Sequence, residues 1–113
     1  MIDAYEFGSI IIDGKEYTSD IIIYPDGEVK SSWWRKEGHR LSSVDIIDLI
    51  QSAPELIIVG TGAYGFMKTE KSLESDLRKK GIELKTAPTD QAVKLYNALC
   101  QRRRLGACFH LTC

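Results

Sequence analysis

The apolar run from Leu56 to Val59, in which no polar residue intervenes, limits the possible folds of this chain more than any other part of its sequence. A short run of this kind, rich in β-branched residues, is typical of a strand that is covered on both faces. A helix capped by Ser42 or Ser43 and ended by Pro54 precedes the run, and helix, strand, helix and strand patterns follow it. This order predicts an α/β domain in which helices lie on the faces of a sheet.

The elements after this strand are predicted from capping residues and hydrophobic spacing. Gly81, for example, is a residue favoured just past the end of a helix. The predicted elements are, in order, the helix Ser72–Lys80, the strand Ile82–Thr86, an amphipathic helix from Pro88 to Cys100 and a last strand Ala107–Leu111.

The first third of the chain has the pattern of antiparallel strands joined by tight turns. Asp13-Gly14 readily adopts the positive φ values of a type I′ turn and separates Phe7–Ile12 from Lys15–Tyr24. Pro25–Gly27 predicts a second reversal into a strand over Glu28–Trp34. We therefore expect a mixed sheet that is antiparallel at its start.

Length and composition indicate one domain over residues 1–113 and exclude several classes of partner. The apolar residues, 43% of the chain, suffice for one core. The 15 Lys and Arg residues against 16 Asp and Glu residues give a formal charge of -1, so no overall field favours nucleic acid or anionic lipid. No apolar run approaches the roughly 20 residues of a membrane helix. The early acids and the lack of a signal pattern predict a cytoplasmic protein, and three cysteines, an odd number, predict reduced thiols.

A G-x-G-x-x-G motif directly follows the predicted buried strand. In dinucleotide-binding folds such glycines let the backbone approach a pyrophosphate at a helix N-terminus. Here Phe66–Thr69 separates the motif from the next helix, and no acidic residue ends the following strand. The favoured interpretation is a connection whose glycines serve backbone turning, with a small anion held by loop amides as the alternative. Because ligands bind at strand carboxyl ends in open α/β sheets, the motif still supplies candidate binding residues. They are Gly60, Thr61, Gly62, Tyr64 and Gly65.

A second candidate site lies in the segment Trp33–Arg40, which contains two indoles, three fixed cations and an imidazole. If a strand ends here, one indole points into the core and the other points outward. Tryptophan and arginine are favoured anchors at protein interfaces, so Trp34, Arg35 and His39 are candidate contact residues. His39 also suits proton transfer near neutral pH, but no carboxylate or nucleophile partner is identifiable by spacing. No catalytic residue is therefore assigned.

Two C-terminal features have both a chemical and a structural interpretation. The cations of Gln101–Arg104 are expected to complement the carbonyl end of the preceding helix, with anion binding as the alternative. Cys108 and His110 share a face of the last strand and suit zinc, but the other ligands would have to come from distant residues. A reactive thiol at Cys113 is a further alternative. The favoured prediction is a strand that closes the core, with neither a metal nor a cofactor.

Several short motifs occur in order over nearly the whole chain. They are Trp34-Arg35, Gly38-His39, Val59–Gly62, Thr89, Gln91–Val93, Tyr96-Asn97 and Phe109–Cys113. Together they resemble a widespread family of small single-domain proteins, first described structurally from a methanogen. This family includes the animal adipogenesis-associated protein and a mitochondrial factor for the assembly of respiratory complex I. The resemblance implies a three-layer α/β fold with a five-stranded mixed central sheet, and in the mitochondrial branch it implies protein partnership.

The predicted function is that of a non-enzymatic protein-binding module, active in assembly or regulation, whose partner is another protein or a second copy of the chain. Its predicted contact surface is formed by Trp34, Arg35 and His39 beside the glycine-rich loop. The alternative is a small-ligand or nucleotide-binding protein, or an enzyme, built around Gly60–Gly65. Membranes and nucleic acids are not expected partners.

Overall fold

The computed structural model describes all 113 residues of the chain. None of its helices has the length and apolar composition that crossing a membrane requires. The strands are β1 Ile2–Glu6, β2 Ser9–Ile12, β3 Lys15–Tyr17, β4 Ile21–Ile23, β5 Val29–Lys30, β6 Arg40–Leu41, β7 Leu56–Thr61, β8 Lys68–Thr69, β9 Glu83–Ala87 and β10 Leu105–His110. The helices are a 3₁₀ helix Ser43–Ile46, α1 Ile47–Gln51, α2 Lys71–Lys79 and α3 Thr89–Leu99.

A five-stranded mixed sheet forms the middle layer, as predicted, with the strand order β5-β4-β10-β7-β9. β10 lies at its centre, parallel to β7 and antiparallel to β4. β7 is in turn parallel to β9. Every residue of β7 and β10 is buried, which confirms that the apolar run from Leu56 is covered on both faces.

Two apolar clusters cover the two faces of this sheet. On one face, α3 and a three-stranded antiparallel sheet, β1-β2-β3, pack on side chains that include Ile58 and Phe109. On the other face, the 3₁₀ helix, α1 and α2 pack on side chains that include Ile57 and Cys108. Successive residues of a strand point to opposite faces, so each central strand contributes to both clusters. The result is the three-layer α/β fold that the sequence motifs imply.

The N-terminal hairpin is confirmed, but the strand after it is shorter than predicted. Asp13 (φ 49°) and Gly14 (φ 82°) both have the positive φ of a type I′ turn between β2 and β3. The predicted single strand Lys15–Tyr24 is wrong, because the chain breaks at Thr18–Asp20. β3 stays in the three-stranded sheet, whereas β4 enters the central sheet. The break allows Asp20 to reach the end of the last strand.

Two further predictions for the first third differ from the structure. The sequence predicts Phe7–Ile12 as the first strand. The structure has an earlier strand, β1, which begins at Ile2 and pairs with β2. The predicted strand Glu28–Trp34 is reduced to β5, because Ser32 has a positive φ (55°) and Trp33 turns into the core. The indole N–H of Trp33 donates to the carbonyl oxygen of Asp45 at 2.9 Å.

The basic run Gln101–Arg104 follows α3 and leads into β10. The guanidinium of Arg104 donates to the carbonyl oxygens of Ser52 (2.7 Å) and Ala53 (3.1 Å), just past the end of α1. This cation therefore complements the carbonyl end of α1, whereas the sequence pattern predicts the end of α3.

Candidate functional site

Asp20 connects the first third of the chain to the last strand. Its Oδ1 accepts the backbone N–H of Leu111 at 2.8 Å. Its Oδ2 accepts a hydrogen bond from Arg35 Nη1 at 2.8 Å and lies 2.8 Å from His110 Nδ1. The side chains of Arg35 and His110 are almost completely buried. We call Asp20, Arg35 and His110 the buried polar cluster.

Arg35 organises the segment that carries His39. Its Nε and Nη2 donate to the carbonyl oxygen of Gly38 at 3.2 and 2.9 Å, and its guanidinium lies 4.7 Å from the centre of the Trp33 ring system. Because Arg35 is buried, it is not available for the surface contact predicted for it. It positions the segment from within the protein.

The hydrogen bonds of the buried polar cluster favour the ionised form of Asp20. Burial raises the pKa of the Asp20 carboxyl, but hydrogen bonds from His110, the Leu111 amide and Arg35 outweigh burial and leave the pKa below its usual value. The folded protein therefore binds a proton at this carboxyl less readily than the unfolded chain does.

We expect this difference to make stability depend on pH in acid. A carboxyl with a lowered folded-state pKa stabilises the fold above its unfolded pKa of about 3.9, and the contribution is lost as the pH falls through the folded value. In Asp20→Asn, the free energy of unfolding should decline less steeply below about pH 4 than in the wild type. Urea denaturation at a series of pH values measures both slopes, and equal slopes would contradict the assignment.

His110 has a buried nitrogen without a partner. Nδ1 lies 2.8 Å from Asp20 Oδ2 and 3.1 Å from Arg35 Nη2, and it donates to the carboxylate in the tautomer that carries the hydrogen on Nδ1. Nε2 is buried and makes no hydrogen bond. The His39 ring lies edge-on to the His110 ring, with 6.0 Å between ring centres. Asp20 and His110 together resemble the carboxylate–imidazole arrangement of a general base, but the Nε2 atom of His110 is closed to solvent.

The two cysteines and the histidine of the tail do not come together with His39 as a set of metal ligands. Cys108 is completely buried, and burial raises the pKa of its thiol to about 12, so it remains protonated in the core. Cys113 Sγ lies 4.0 Å from His39 Nε2. No three His, Cys, Asp or Glu side chains are grouped as a metal site would require.

The glycine-rich loop packs against the C-terminal strand. A Cβ on Gly60 would lie 2.6 Å from a Phe109 ring carbon, and a Cβ on Gly62 would lie 2.7 Å from the carbonyl oxygen of Cys113. Gly62 also has a φ of +104°, which side chains disfavour. Glycine is thus required at both positions, because neighbouring atoms of the protein leave no room for a side chain.

Several amides of this loop are already used by the protein. The N–H of Gly62 donates to Thr89 Oγ1 at 2.9 Å, and the Thr89 hydroxyl in turn donates to the carbonyl oxygen of His110 at 2.6 Å. The N–H of Ala63 donates to the carbonyl oxygen of Thr112 at 2.6 Å. No helix begins in the motif, since β8 follows it and α2 starts only at Lys71. This arrangement agrees with the interpretation that the glycines serve backbone turning. It differs from a dinucleotide-binding loop, in which a helix begins within the motif.

Four rings form a row on the surface beside the loop. Phe7 and Tyr64 have ring centres 6.3 Å apart, Tyr64 and Phe66 5.9 Å, and Phe66 and His39 6.4 Å. We call Phe7, Tyr64, Phe66 and His39 the aromatic surface. The structure thus brings two of the predicted site residues, His39 and Tyr64, into one row. Trp34 is 77% exposed but makes no ring contact with it.

Sequence reasoning missed Phe7 and Phe66. Both lie next to a turn glycine with positive φ, Gly8 and Gly65 respectively. A large aromatic residue beside a turn glycine, outside any strand alternation, is the signal that identifies them.

The remaining loop residues, Thr61 and Gly65, line a cleft between the carboxyl ends of β7 and β9. This edge of the sheet is the one at which the sequence predicts candidate binding residues. The cleft adjoins the aromatic surface, because Tyr64 belongs to both.

Comparison with known proteins shows what the chain is similar to. Residues 2–110 match the family described as proteins of unknown function, DUF498/DUF598. A conserved hypothetical protein of Pyrococcus horikoshii is 28% identical, with a TM-score of 0.87 over 100% of this chain and 99% of that one. The protein MT938 is 32% identical, with a TM-score of 0.82 over 100% of this chain and 98% of that one. An outer membrane protein of Bartonella henselae is 24% identical with a TM-score of 0.84, over 98% of this chain and 93% of that one, a likeness of fold alone. These matches agree with the resemblance seen in the sequence motifs, and the chain belongs to the DUF498/DUF598 family.

Proposed function

We propose that this protein is a binding module that recognises a segment of another protein through the aromatic surface. The observation that supports this function is the exposure of three large rings that already contact one another. Phe7 is 59% exposed, Tyr64 67% and Phe66 57%. Groups of exposed apolar side chains mark interaction surfaces, and aromatic side chains contribute most of the binding energy at many interfaces.

The backbone beneath these rings is held in place before a partner arrives. The amides of Ala63, Gly65 and Met67 donate to backbone carbonyls at 2.6, 3.2 and 3.0 Å. A loop that is already ordered loses little conformational entropy on binding, so more of the contact energy remains as affinity. The aromatic surface is therefore suited to bind a partner without first rearranging its own backbone.

The charges at the His39 end of the surface indicate the chemistry of the partner. Two exposed cations, Arg40 and Lys68, and the carboxylate of Glu37 surround His39 in an open depression of about 430 Å³. Arg40 pairs with Glu37 at 3.9 Å, an exposed contact that contributes little. Lys68 has no carboxylate partner. The surface thus fits a segment with aromatic or aliphatic anchors flanked by acidic residues.

Selection from a library of displayed random peptides tests this function. We expect the wild type to enrich peptides that combine apolar anchors with Asp or Glu. Tyr64→Ala combined with Phe66→Ala should weaken binding of an enriched peptide more than about 100-fold, because each truncated anchor costs about 2 kcal/mol. Calorimetric titration measures this ratio, and urea denaturation confirms that the variant is folded.

The matched control is Val44→Ala combined with Ile47→Ala, which removes two exposed apolar side chains from the 3₁₀ helix and α1. Its affinity should equal that of the wild type. Equal losses in both double variants, or no enrichment of acidic apolar peptides, would refute the proposed surface.

A further inference from the structure

The cleft between β7 and β9 lies where the chain connections change face. β7 continues into α2 on one face of the central sheet, whereas the neighbouring parallel strand β9 continues into α3 on the other face. The two connections therefore diverge at the carboxyl ends of the strands. In open α/β sheets this divergence leaves the crevice in which ligands bind.

The cleft has the size of a small-molecule site and contains an unpaired hydroxyl. Its volume is about 480 Å³, within the range of about 300–1,000 Å³ for such sites. Thr61 lines the cleft and is only 7% exposed, yet its Oγ1 makes no hydrogen bond within the protein. Thr69 Oγ1, by contrast, donates to Glu74 at 2.9 Å. Because the Thr61 oxygen is not closed off from the cleft, it is free to hydrogen-bond a polar group bound there.

Two opposite charges line the same cleft. Lys68 and Glu74 are both among its lining residues, and neither takes part in a salt bridge. The remaining wall is partly apolar, with Met67, Ala87 and Pro88. A phosphate group would place its charge near the Glu74 carboxylate, whereas a ligand with one positive and one negative group has a partner for each.

We propose that this cleft binds a free α-amino acid with an apolar side chain. The ligand carboxylate accepts from Lys68 and Thr61, its ammonium donates to Glu74, and its side chain packs on the apolar wall. This site adjoins the proposed peptide contact and shares Tyr64 and Lys68 with it, whereas Thr61 and Glu74 belong to the cleft alone.

NMR titration of the full chain with L-leucine tests the proposal. Amide shifts should move at Thr61, Lys68 and Glu74 and saturate. Two analogues serve as matched probes: 4-methylpentanoate lacks the ammonium group, and 3-methylbutan-1-amine lacks the carboxylate. Each should bind at least about tenfold more weakly than L-leucine, since each leaves one charged group of the cleft without its partner.

Variants connect the binding to the named side chains. Glu74→Gln and Thr61→Val should each raise the Kd for L-leucine about tenfold or more, whereas Lys94→Gln on the exposed face of α3 should leave it unchanged. The chemical-shift spectrum of each variant shows whether it is folded. The proposal is overturned if L-leucine causes no saturable shifts, if 4-methylpentanoate binds as tightly, or if folded Glu74→Gln retains full affinity.

Discussion

Asp20→Ala is expected to lower the free energy of unfolding by about 3–5 kcal/mol. The substitution leaves the buried Arg35 guanidinium and the Leu111 N–H without their acceptor. A buried charge that loses its partner is strongly unfavourable. Because domains of this size are stable by only about 5–15 kcal/mol, the loss is a large part of the total. Urea denaturation followed by circular dichroism measures it.

Two comparisons separate the loss of this charge pair from a general effect of substitution. Glu28→Ala removes an exposed carboxylate and should change stability by less than about 0.5 kcal/mol. Replacing both partners, with Asp20→Leu and Arg35→Met, removes the unpaired charge and should be less destabilising than Asp20→Ala alone. If Asp20→Ala behaves like Glu28→Ala, the buried polar cluster does not stabilise the fold.

Gly62→Ala should destabilise the protein by about 3 kcal/mol or more. The position has a φ of +104°, which costs an alanine about 1–3 kcal/mol. The new Cβ would also lie 2.7–2.8 Å from backbone atoms of Thr112 and Cys113. Main-chain atoms cannot move aside as a flexible side chain does, so overpacking adds about 1–3 kcal/mol. Thermal and urea unfolding measure the difference.

Gly38→Ala is the matched control, because a Cβ at Gly38 meets no atom within 4 Å and the residue is not in the positive-φ region. Its stability should be equal to or slightly above that of the wild type. A Gly62→Ala variant as stable as Gly38→Ala would show that the C-terminal residues do not pack on the loop as the structure describes.

The second half of the fold is predictable because its signals are local. Pro54 ends one element, Gly81 ends another, and Pro88 precedes α3 within a few residues of the observed boundaries. Each of these residues acts through its own backbone geometry or a missing N–H, so the sequence around it suffices. The buried strand β7 is recognisable for a similar reason, since its apolar residues are consecutive.

The site is less predictable because it depends on contacts between distant residues. Asp20 lies in a polar stretch that has the pattern of a continuing strand, and its role depends on His110 and Leu111, 90 and 91 positions away. The burial of Arg35 follows from the same pairing. The aromatic surface likewise joins Phe7 to Tyr64 across two different turns. No spacing rule connects residues that meet only after the sheet has formed.

The central place of β10 has a consequence for how the chain is made. The two neighbours of this strand, β4 and β7, are synthesised before it. They do not pair with each other, so β10 is the strand that joins them in the sheet. Until residues 105–110 leave the ribosome, the nascent chain exposes the edges of two apolar strands. Its native core therefore assembles only after those residues are translated.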